Sequence, residues 1–176
     1  MASGAATATQ RPKGLPIVNV ATVPQRSPFR YPGGKTWLVP YVRLWLKSRT
    51  GQIKELIEPF AGGGIVGLTA AFEGLTQSVT LVEKDADVAA VWRTILGGEG
   101  RWLADKVVSF ELTRESVREV LDSTPRTTRE RAFQTLLRNR VQRGGILAPG
   151  AGLMKNGENG RGLRSRWYPG TLRKRI

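Results

Sequence analysis

The segment Ile57-Glu58-Pro59-Phe60-Ala61-Gly62-Gly63-Gly64-Ile65-Val66-Gly67 constrains this chain more than any other. The short apolar run at 55–58 predicts a strand, the glycines a tight turn, and residues 64–73 a helix. Gly62, Gly64 and Gly67 fit G-x-G-x-x-G, and Glu83 closes the next predicted strand, 79–83, about twenty residues further on. Glycines let a backbone approach a ligand closely, and the N–H groups of a helix start are open to donate. An acid ending the second strand can accept both hydroxyls of a ribose. The spacing therefore predicts a nucleotide-class ligand without choosing between a nicotinamide dinucleotide and a nucleoside thioether.

The flanking pattern extends the same architecture. From Thr36 onward, Leu38, Tyr41, Val42, Trp45 and Leu46 recur at helical spacing, with Pro40 in the first turn and Gly51 as the stop. A second helix is predicted over 86–96 and a third strand over 107–112. The alternation of strands and helices implies an α/β fold with a parallel sheet. After Thr113 the pattern is helical only, over 114–121 and 128–141, the latter capped by Thr127 or Thr128 with Glu130 in its first turn. Seven glycines between Gly144 and Gly162 then predict an irregular loop. The expected organisation is a disordered arm over 1–27, a ligand-binding sheet part over 28–113, and a helical, glycine-rich region over 114–176.

Composition limits the chemistry. The 176 residues include no cysteine and no histidine, which excludes thiolate nucleophiles, disulfide frameworks, zinc fingers and histidine bases. Lys and Arg number 28 against 14 acids, a net charge of +14. An excess this large favours a polyanionic partner, with nucleic acid foremost. From Arg126 onward the only acids are Glu130 and Glu158, so the C-terminal third is expected to face phosphates. No apolar run approaches the roughly 20 residues of a membrane span. The N-terminus lacks the apolar core of a secretion signal. A soluble, cytoplasmic protein is expected.

Two further stretches narrow the ligand. Upstream of the loop, Pro28-Phe29-Arg30-Tyr31-Pro32-Gly33-Gly34-Lys35 forms a second glycine turn before the first strand, whereas dehydrogenase sheets generally begin with that strand. Downstream come Asn139-Arg140, Gly144-Gly145 and Arg166-Trp167-Tyr168-Pro169. In this order the motifs resemble the Dam-like, α-ordered DNA adenine methyltransferases over about residues 28 to 176, roughly the first two thirds of such an enzyme. The resemblance implies a Rossmann-like sheet, incomplete here, with a helical, basic DNA-recognition region. It implies S-adenosylmethionine as cofactor, bound by Tyr31, Gly34, Lys35, Phe60, Gly62, Gly64 and Glu83, with Lys35 near the methionine carboxylate and Glu83 on the ribose. Tyr31-Pro32 departs from the family's frequent tryptophan, and Glu83 replaces its frequent aspartate. Double-stranded DNA is the implied partner, with Arg138, Asn139, Arg140, Arg143, Lys155, Arg161, Arg164 and Arg166 as candidate contacts.

One family element is missing. Methyl transfer to an exocyclic adenine amine needs acceptors on that amine and an aromatic face for the flipped base. The family supplies both with an Asp/Asn/Ser-Pro-Pro-aromatic motif. This chain has ten prolines and no two are adjacent, so no catalytic residue is assigned. The expectation is a truncated or split methyltransferase, inactive alone and completed by a chain carrying that motif. A non-enzymatic DNA-binding protein is the alternative, and an NAD-linked oxidoreductase is third.

Overall fold

The computed structural model describes residues 20–30, 34–145, 147 and 150–176. A 3₁₀ turn at Lys35–Leu38 leads into helix α1 (Val39–Lys47), which carries Pro40 in its first turn, where a missing N–H costs nothing. Strand β1 (Glu55–Pro59), helix α2 (Ile65–Phe72) and strand β2 (Ser78–Val82) form one β-α-β unit. The strands pair in parallel from Glu55 opposite Ser78 to Pro59 opposite Val82. Helix α1 is pinned to the end of α2 by a two-pronged contact, Arg43 Nε and Nη2 donating to Glu73 at 2.7 and 2.8 Å. Those bonds, reinforced by the charges of Arg43, Arg26 and Lys47, hold the Glu73 carboxyl below its ordinary value of 4.5 despite partial burial. A depressed carboxyl stabilises the fold above its unfolded-state pKa. This contribution should therefore persist at neutral pH and fade as pH falls through and below about 4.5.

One face of the sheet turns Leu56, Glu58, Val79 and Leu81 toward α2; the other leaves Ile57 56 % and Val82 49 % exposed. The largest core lies elsewhere, among helices α3 (Ala86–Thr94), α4 (Gly100–Ser109) and α6 (Thr128–Val141), where Val88, Val91, Leu103, Val107, Leu136 and Leu137 are fully buried. Helix α5 (Arg114–Asp122) and the short α7 (Pro169–Arg173) close this cluster. Thr113 caps α5 through a reciprocal bond with Ser116. Thr127, not Thr128, caps α6 with Glu130 reaching back to its N–H.

The third strand expected over 107–112 is not formed. Leu103, Ala104 and Val107 fall on one buried helical face, with α6 and α7 packed against α4, so α4 runs through Ser109. Packing of that face overrides the β preference of Val107-Val108. Residues 110–112 continue as extended chain outside any sheet, Phe110 lying edge-on to Phe133 and Trp167. The helix expected to end at Leu96 instead passes through a π turn at Ile95–Glu99, where Gly98 adopts φ 92° and lets α4 restart almost at once. Among the described residues the sheet has two strands, and no helix is long and apolar enough to cross a membrane.

Candidate functional site: a cationic cavity behind the glycine loop

The turn between β1 and α2 is built to bring backbone close to its neighbours. Ala61 N–H extends the ladder by donating to Val82 O at 2.9 Å. Gly62 and Gly64 take φ of 51° and 61°, which side chains resist. A Cβ on Gly64 would stand 3.0 Å from the Trp92 ring. At Gly67 it would meet Val79, Glu58 and Leu81 at 2.7, 2.9 and 2.9 Å. The indole N–H of Trp92 donates to Gly62 O at 2.8 Å, so α3 braces the loop from below. Phe60 carries the strain that glycine would avoid: its φ is 54°, yet its ring is 82 % exposed. Replacing Phe60 with Gly should leave stability unchanged or raise it by up to about 1 kcal/mol, while weakening any ligand that rests on the ring; melting and titration of the same variant check both halves.

Two carboxylates hold the loop. Glu83 accepts from Gly62 N–H at 2.6 Å and from Asp85 N–H at 2.9 Å, so one side chain ties the loop to the start of α3. Glu58, 4 % exposed, accepts from Gly67 N–H at 2.7 Å through Oε2. Its Oε1 meets no aligned hydrogen-bond donor and relies on the Lys35 ammonium 2.9 Å away. That ammonium donates to the carbonyls of Phe60 and Pro59 at 2.6 and 3.4 Å. Lys35 is therefore a clasp over the end of β1.

Behind the loop lies a cavity of about 730 Å³, within the range of small-molecule sites. Phe60 to Ile65, Gly34, Lys35 and Thr36 form one wall. Arg140, Gly144, Tyr168, Thr171 and Arg175 form the other, and Gln25, Ser27, Phe29 and Arg30 roof it. The roof is fixed from the far end of the sequence. Arg175 donates to Ser27 O at 3.2 Å, Arg140 to Pro28 O, and the Asn139 amide both accepts from Arg30 N–H and donates to Arg30 O at 2.9 Å.

Of the residues expected at a cofactor, Gly34, Lys35, Phe60, Gly62 and Gly64 line this cavity; Glu83 does not, and accepts a bond from the lining residue Gly62. Tyr31 lies outside the described residues. The residues expected on DNA divide. Asn139 is fully buried and also donates to Gly145 O at 2.9 Å, and Arg140 is 4 % exposed. Arg138 pairs with Asp87 at 3.1 Å. These three sit in the last turn of α6, where Asn139 and Arg140 point into the fold and Arg138 is half-buried against Asp87. Arg143, Lys155, Arg161 and Arg164 are exposed, and Arg143, Lys155 and Arg166 border a second cavity of about 410 Å³ with Asn156 and Gly157. Sequence reasoning missed Glu58, Trp92 and Arg175. Glu58 sat inside the motif, but its partner is the distant Lys35; no local signal marked the other two.

Residues 31–82 match the family model of D12 class N6 adenine-specific DNA methyltransferases. Over that stretch the chain is similar to the adenine methyltransferases. The matched stretch covers the glycine turn at Lys35, β1, the glycine loop, α2 and β2, one complete wall of the cavity. No curated protein matches the chain.

Proposed function

We propose that this chain is the cofactor-binding and DNA-recognition part of an S-adenosylmethionine-dependent DNA adenine methyltransferase with a Rossmann-like sheet. The observation that carries the reading is the coincidence of the family match with the cavity wall: the residues that match are those that shape the glycine loop. When bound, the cofactor supplies an electrophilic sulfonium methyl group. The protein's share is binding, orientation and exclusion of water.

The residues present fit that group. The glycine loop offers close backbone approach, Phe60 an exposed ring, and Glu83 a carboxylate at the tip of β2. Glu83 accepts two backbone N–H bonds and keeps further lone pairs for ribose hydroxyls. Replacing Glu83 with Ala should weaken S-adenosylmethionine binding by about tenfold or more, measured by calorimetry on a variant whose melting confirms the fold. Unchanged affinity would return Glu83 to a purely structural role.

The DNA surface is assigned to Arg143, Lys155, Arg161, Arg164 and Arg166, which sit on or beside the glycine-rich loop. Neutralising two of them should make DNA affinity less dependent on salt, by about one unit of slope for each phosphate left without its cation. Without a Pro-Pro-aromatic motif, the 176-residue chain by itself is expected to bind the methyl donor and not to transfer label from it to adenine-containing duplex. Robust transfer by the purified chain would contradict the division of labour proposed here.

A further inference from the structure

Four cationic residues line the cavity, Arg30, Lys35, Arg140 and Arg175, and they are not equivalent. Lys35 is neutralised by Glu58 and its donors are occupied. Among the described residues, Arg140 and Arg175 have no carboxylate partner and no Asp or Glu lines the cavity. The Arg140 guanidinium is 4 % exposed, and its hydrogen bonding among the described residues is the one bond from Nη2 to Pro28 O. Its Nε is buried without an acceptor. Burial first, then the charges of Arg175, Arg30 and Arg166, draws the guanidinium down to about 10, well below its ordinary range. It still carries its charge at neutral pH. A buried guanidinium with unused donors is costly unless an anion answers it.

We infer that Arg140 and Arg175 form an oxyanion subsite inside the cavity and receive the carboxylate of the amino-acid end of the cofactor, in place of Lys35. The inference rests on the cofactor reading above. A planar guanidinium presents a fork that matches a carboxylate, and the second arginine, half-buried beside it, adds a donor. A small ligand already seated on the glycine loop shares the cavity with this pair. A duplex phosphate does not reach it as readily, because Arg140 is covered and the segment Ser27 to Arg30 is strapped over it by Arg175, Arg140 and Asn139. The strap and the subsite therefore use the same two arginines, one edge of each holding backbone and the rest facing the ligand.

The test compares two ligands that share the adenosyl thioether and differ in the amino-acid end: S-adenosylhomocysteine and 5′-methylthioadenosine. Both are titrated into the intact chain and into Arg140→Gln and Arg175→Gln, with melting curves on each protein. The expected result is a loss of about tenfold in affinity for S-adenosylhomocysteine in each variant, with 5′-methylthioadenosine affinity unchanged. Should Arg140→Gln fail to fold, the half-buried Arg175→Gln carries the comparison alone. Equal weakening of both ligands, no change in either, or a defect confined to DNA binding overturns the assignment. Failure of both ligands to bind the unaltered chain removes the cofactor reading itself, and this assignment with it.

Discussion

Gly67→Ala is expected to destabilise the protein by roughly 2–3 kcal/mol, at the upper end of the usual cost of overpacking. The added methyl has no direction in which to yield. It would stand 2.7 Å from Val79 Cγ1, 2.9 Å from Leu81 Cδ2 and 2.9 Å from the Glu58 carboxylate, three groups on two adjacent strands. Helix α2 cannot slide away without stretching the 2.7 Å bond from Gly67 N–H to Glu58. The third glycine of the fingerprint thus serves helix-on-sheet packing, and only indirectly the ligand. Against a total stability of about 5–15 kcal/mol for a domain of this kind, the loss should be plain in a urea titration. An unchanged midpoint would mean that the helix does not sit this close to the sheet.

Lys35→Ala should cost about 2 kcal/mol or more, because it strands a buried charge. Glu58 would keep the Gly67 N–H at Oε2 and lose the cation that, among the described residues, answers Oε1. Lys35 is itself about a quarter exposed, so water entering through the cavity mouth softens the penalty below that of a fully enclosed pair. The distinguishing measurement is a double-mutant cycle. Glu58→Gln made together with Lys35→Ala removes the stranded charge while keeping an acceptor for Gly67. The double variant should therefore be more stable than Lys35→Ala alone. A double variant less stable by the sum of the two single losses would show that the pair does not interact. The same result bears on function, since loss of ligand binding in Lys35→Ala alone would report a disturbed loop as readily as the removal of a group that touches the ligand.

What the sequence made legible were the features fixed by local chemistry. The strand-loop-helix-strand order from Glu55 to Val82 followed from periodicity and glycine placement, and the cap of α6 from the threonine pair with Glu130 in the first turn. The errors share one cause, contacts between residues far apart in the chain. Val107 and Val108 have strand propensity, but Val107 lies on the buried face of a helix packed against α6 and α7. Asn139 and Arg140 read as surface groups in a basic region. Their partners, Arg30 and Pro28, lie more than a hundred residues earlier, and nothing near either site in the sequence announced the pairing. Phe60 shows the limit of a glycine pattern: the loop contains three glycines, and it still places a phenylalanine at positive φ.

The cavity's identity as a methyl-donor site is the central claim, and parallel calorimetry tests it most directly. S-adenosylmethionine and NAD are titrated into the purified 176-residue chain, each with and without Glu83→Ala. The account predicts saturable binding of S-adenosylmethionine at one site, weakened in the variant, and no binding of NAD. Binding of NAD with no response to S-adenosylmethionine would contradict it.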